Sequence, residues 1–94
     1  MSTKEYRFPH ELGVKEATAR VQPVLDEIIR TYQLNLDTPA DGKFRLHRTG
    51  VEANVAVNDL DIVVAVDLNW FLEKTIRNKL EDLLHQKFPA ILKV

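Results

Sequence analysis

The stretch from Phe44 to Leu68, FRLHRTGVEANVAVNDLDIVVAVDL, decides the fold. Its apolar residues recur at every second position: Phe44 and Leu46, then Val51, Ala53, Val55 and Val57, then Ile62, Val64, Val66 and Leu68. Strand side chains alternate between faces, so each run has one apolar side and one that is mixed and mostly polar. Arg45, His47, Glu52, Asn54, Ala56, Val63, Ala65 and Asp67 fall on that second side. Thr49-Gly50 and Asn58-Asp59 punctuate the runs with turn chemistry. The reading is three strands in an antiparallel meander.

Upstream, Leu34 to Lys43 carries Asn35, Asp37, Pro39, Asp41 and Gly42, and reads as a surface loop ending in a turn. Before it, Val14, Ala17, Thr18, Val21, Val24, Leu25, Ile28, Ile29 and Tyr32 fall on one side of a 3.6-residue helix, opposite Lys15, Glu16, Arg20, Asp26, Glu27 and Arg30. Glu16 with Arg20 and Asp26 with Arg30 are i,i+4 pairs worth ~0.3 kcal/mol each on a solvated face. Pro23 removes a backbone hydrogen bond, yet it lies near the middle of the polar face, where water can satisfy the Ala19 carbonyl. One helix curved around the core is expected, rather than two. Tyr6 and Phe8 alternate with Glu5 and Arg7 in a short strand from Lys4 to Pro9, with residues 1–3 as a loose end.

Downstream, Leu72, Ile76, Leu80, Leu83 and Leu84 form a stripe from about Trp70 to Phe88, with Lys74, Asn78, Asp82 and His85 away from it. Asn69 suits the N-cap of this second helix, and Pro89 reads as its stop. The order is β-α-β-β-β-α over residues 1–94, an α+β two-layer domain with a mainly antiparallel sheet and two helices on one face. The other sheet face is either solvated or a homodimer surface.

Composition narrows the function. The 94 residues allow one domain and disfavour a deep substrate pocket beside an intact core. With no cysteine, disulfides, thiolate metal sites and cysteine nucleophiles are excluded. Thirteen basic against fourteen acidic residues give a net charge of −1, which lacks the positive field of a nucleic-acid binder. The N-terminus has no apolar signal stretch, and no window approaches the ~18 apolar residues of a membrane span, so a cytoplasmic location is expected.

Reactive constellations are missing from the sequence. His10, His47 and His85 have neither i,i+4 nor H-x-H spacing and read as solvated, so no metal is expected. There is no nucleophile elbow, phosphate-binding loop or dinucleotide fingerprint, so neither cofactor nor catalysis is expected. Asp59, Asp61 and Asp67 read as solvated or cross-strand paired, and Lys74, Arg77, Lys79 and Lys87 as a solvated helix face. Trp70 and Phe71 lie off the apolar stripe of the second helix. Either the helix begins after them and their rings close the end of the core, or they are exposed as an apolar contact for a lipid-like surface or a protein.

Pro9-His10-Glu11-Leu12-Gly13-Val14-Lys15-Glu16-Ala17 with Arg20, Arg48-Thr49-Gly50-Val51-Glu52-Ala53-Asn54-Val55, and Val66-Asp67-Leu68-Asn69-Trp70-Phe71-Leu72 together resemble the polyhydroxyalkanoic acid system proteins, small bacterial proteins associated with polyester-storage genes. The likeness continues through Ile76, Leu80-Glu81-Asp82 and Phe88. It is spread over about residues 4 to 90 and offers no catalytic residue to carry over. It departs at Asn69 and near Asn78, where the family commonly has glycine. The resemblance implies a non-enzymatic accessory protein contacting the granule surface or its coat proteins, with Trp70 and Phe71 as the contact. The alternative is a small-molecule carrier holding an acyl or other apolar ligand between sheet and helices.

Overall fold

The structure, a computed structural model, describes residues 2–93. The chain runs β1 (Ser2–Pro9), α1 (Gly13–Tyr32), β2 (Asn35–Ala40), β3 (Lys43–Arg48), β4 (Val51–Val57), β5 (Asp61–Leu68) and α2 (Trp70–Ile91). The five strands lie in the order β1-β5-β4-β3-β2, every neighbouring pair antiparallel. The meander is β3-β4-β5, and β1 closes onto β5 with Tyr6 opposite Val64 and Phe8 opposite Ile62. Ser2 and Thr3 already pair with Leu68 and Asp67, so the strand starts earlier than the sequence suggests; Met1 lies outside the described residues.

The apolar alternation becomes register. Phe44 faces Val55, Val55 faces Val64, and Val64 faces Tyr6, a row across four strands. Both helices cover this side. From α1 come Ala17, Val21, Val24, Leu25 and Ile28, and from α2 Leu80, Leu84 and Phe88, all buried in one cluster with the strand residues.

Three local expectations are corrected. The segment read as a loop contains β2, an edge strand whose six residues are all exposed, so neither face carries an apolar alternation to betray it. It pairs only with β3, and Pro39 is tolerated because an edge strand has one side free of ladder bonds, here beside an irregularity between Asp37 and Ala40. Pro89 does not stop α2, which continues to Ile91. The proline withholds a single N–H, while Leu92 N–H still reaches the Phe88 carbonyl at 3.2 Å and Arg20 Nη1 donates to the carbonyls of Ile91 (3.0 Å) and Lys93 (2.6 Å). Arg20, held by Glu16 at 2.9 Å, therefore caps the neighbouring helix as well as pairing along its own. Finally, Arg77 and His10 are buried, not solvated.

Pro23 behaves as its position predicts. α1 runs through it as one helix, with Pro23 and Ala19 both exposed. The helix ends at Gln33, whose left-handed conformation (φ 54°) lets its own N–H and that of Leu34 return to the Ile29 carbonyl.

Candidate functional site

The β3–β4 turn and the β5–α2 junction meet at one end of the sheet. Gly50 has φ +85°, a conformation that glycine adopts without side-chain cost. Its carbonyl accepts from Asn69 N–H at 2.9 Å. A β-carbon at Gly50 would lie 2.5 Å from Asn69 Nδ2 and 3.0 Å from Leu72 Cδ1, so any larger residue would have to push both side-chain ends aside.

Asn69 is the N-cap of α2. Its extended backbone (φ −68°, ψ 169°) needs no left-handed turn, and its Oδ1 accepts from Leu72 N–H at 2.9 Å. The helix therefore begins at Trp70, and its first turn carries the aromatic pair outward. Trp70 is 71% exposed and Phe71 62%. The alternative home, in which the rings close the core, is overturned. Lys74 follows one turn later, its Nζ 4.5 Å from the Trp70 ring centroid, so a cation rides beside the larger ring. Among the described residues the other exposed large apolar side chains are Leu36, Leu60 and Val14, and none neighbours another in sequence.

Between the end of α1 and the start of α2 runs an open cleft of about 630 Å³, with Tyr32, Val51, Phe71, Leu72 and Ile76 on its apolar side and Arg48 at its rim. Arg48 Nη1 donates to the Tyr32 carbonyl at 2.8 Å, tying the turn to the end of α1.

A polar network anchors the middle of α2. Arg77 forms a two-pronged pair with Glu73 (Nε–Oε1 3.0 Å, Nη2–Oε2 2.8 Å) and donates from Nη1 to the Tyr6 hydroxyl at 3.2 Å. Tyr6 in turn donates to Glu81 at 2.6 Å, as does Lys4 at 2.8 Å. Hydrogen bonds from Lys4 and Tyr6 hold the Glu81 carboxyl below the usual carboxylate range, while burial, then the bond to Glu81, raises the Tyr6 hydroxyl. The paired guanidinium of Arg77 is what permits its burial. A basic residue amid acidic ones carries no sequence mark of that.

The histidines occupy three unlike settings. His10 is buried: its Nδ1 accepts from Leu12 N–H at 3.2 Å and its Nε2 meets the Asn58 carbonyl at 2.8 Å, which staples the β1–α1 connection to the β4–β5 turn. His47 lies on the open sheet face, 2.9 Å from Asp37, in a run of charges where Arg45 also reaches Asp37 at 3.2 Å and Glu52 at 2.7 Å. His85 is exposed, its ring edge-on to Tyr6 at 5.9 Å. Among the described residues no cluster of three or more His, Asp or Glu has the spacing of a metal site. Asp61 pairs with Arg7 at 3.3 Å, as its strand-end position suggests, whereas Asp67 Oδ1 is buried without a partner among the described residues. Among the described residues no helix is long and apolar enough to cross a membrane.

The turn and junction joined by Gly50 and Asn69 are two of the three segments on which the resemblance rests. A family model described as "Putative polyhydroxyalkanoic acid system protein" matches residues 6–92. The chain belongs to this family. The match takes in every element except the start of β1, and so covers both the Gly50–Asn69 junction and the aromatic turn of this chain. No curated protein and no solved structure matches the chain.

Proposed function

We propose that this polyhydroxyalkanoic acid system protein is a non-enzymatic accessory factor that settles on the polyester granule surface through Trp70 and Phe71. The observation that carries the reading is the exposure of two adjacent aromatic rings on the first turn of a helix whose cap is braced from the sheet. Such rings lose an unfavourable water interface on reaching an apolar surface, at roughly 25 cal/mol per Å² buried. A polyester surface is apolar and offers no fixed charge to recognise, which suits aromatic anchors. Lys74 beside Trp70 adds a side chain with an apolar stem and a charged tip, suited to the boundary between surface and water.

Co-sedimentation tests this with two kinds of particle, native granules and polyester particles prepared without protein. The wild type pellets with both, and a Trp70→Ala, Phe71→Ala double variant stays in the supernatant. Recovery of wild type only with native granules transfers the contact to a coat protein and rejects the polymer surface as the partner. Equal distribution of wild type and double variant rejects the aromatic contact itself.

A further inference from the structure

Beneath the cleft, between the sheet and the two helices, lies a separate apolar void of about 30 Å³, walled by residues including Leu25, Leu46, Val55, Val64, Leu84 and Phe88. Its lining is wholly apolar, so it offers a water molecule no hydrogen-bond partner. Atoms around such a void lack contacts on one side, and an apolar group entering it restores them. Tyr32, Val51 and Ile76 line both this void and the open cleft above it. They form the partition between the two spaces, and each is only half-buried.

The rim of the cleft has the opposite character. Arg48 is exposed, donates from Nη1 to the Tyr32 carbonyl, and has no carboxylate partner among the described residues. Arg7, Arg20, Arg45 and Arg77 each meet a carboxylate, whereas Arg30, on the outer face of α1 and away from the cleft, forms no ion pair with Asp26 or another carboxylate among the described residues. A cation with spare donors thus lines an open cleft whose apolar wall of Tyr32, Val51 and Ile76 backs onto the internal void. An anionic head on an apolar tail matches that pattern end for end.

We infer that the cleft binds a medium-chain alkanoate, its carboxylate on Arg48 and its tail passing between Tyr32, Val51 and Ile76 toward the internal void. The cleft shares Phe71 with the granule contact, but Trp70 does not line it, so the granule contact can be weakened at Trp70 alone and the cleft at Arg48 alone.

Methyl-labelled protein titrated with sodium butyrate, octanoate and decanoate, and with 1-octanol, tests the inference by NMR. Decanoate and octanoate shift the methyl signals of Val51, Leu72 and Ile76, and the dissociation constant falls roughly fourfold per added methylene. Butyrate gives no saturable shift. Arg48→Gln weakens octanoate at least tenfold and leaves 1-octanol unchanged, and Arg48→Lys recovers part of the loss. Trp70→Ala leaves octanoate binding intact while reducing granule recovery, which separates failure of this site from failure of the granule contact. Absence of saturable shifts with decanoate, shifts centred on Leu60 or Val14 at the far end, or equal octanoate affinity in a folded Arg48→Gln protein would each overturn it.

Discussion

The Gly50 carbonyl accepts the Asn69 N–H at 2.9 Å, and this bond fixes where α2 begins. It joins a turn of the sheet to the cap of a helix, so the aromatic turn that follows is aimed by the sheet.

Gly50→Ala is therefore expected to destabilise the protein. The left-handed backbone alone costs an alanine about 1–2 kcal/mol, and the added carbon must also displace the Asn69 amide from 2.5 Å. Thermal unfolding should show a midpoint lower by roughly 5–15 °C for a domain of this size. An unchanged midpoint would mean that the turn does not brace the helix.

Asn69→Ala removes the side-chain acceptor for Leu72 N–H and should cost about 0.5–2 kcal/mol in urea unfolding, whereas Asn69→Asp should retain most of it. Equal losses in the two variants would contradict the capping role.

Tyr6→Phe keeps the ring in the core but withdraws the hydroxyl that accepts from Arg77 and donates to Glu81. A loss of about 1–3 kcal/mol is expected, because a buried guanidinium loses a partner. The double variant Tyr6→Phe, Arg77→Met should lose less than the sum of its parts, since one interaction cannot be removed twice. Strict additivity in a double-mutant cycle would show that the two groups are not coupled.

Glu81 gives the pH dependence its sign. Hydrogen bonds from Lys4, then from Tyr6, depress its folded value below the ordinary 4.5. The unfolded chain then binds more protons than the native one over that interval, so the contribution of Glu81 is complete above about pH 4.5 and is lost as pH falls through the depressed value. Glu81→Gln should lower stability at neutral pH and flatten its decline below pH 4.5. An acid limb of unchanged slope would rule out this carboxylate as a contributor.

Much of the architecture was legible because burial leaves a period in the sequence. β3, β4 and β5 each have one covered face, and α1 one covered stripe, so their alternations survive as patterns. β2 was not legible because an edge strand beyond the helices buries nothing, leaving only loop-like composition. Pro89 misled for a different reason. A proline forbids one hydrogen bond, but whether the helix goes on depends on partners far away in sequence, here Arg20. The same holds for Arg77, whose burial depends on Tyr6, and for His10, which depends on Asn58. At the candidate site, the residues Trp70 and Phe71 stood out by lying off the apolar stripe. Their direction did not, because it is set by the contact between Gly50 and Asn69, nineteen positions apart in the chain.

Trp70 is the only tryptophan, so its fluorescence reports the contact residue directly. Emission and acrylamide quenching should be recorded for the free protein and again with protein-free polyester particles. The account predicts red-shifted, readily quenched emission in the free protein that moves to the blue and becomes protected on the particles. Emission that is already blue and protected in the free protein, or that does not change when particles are added, would contradict it.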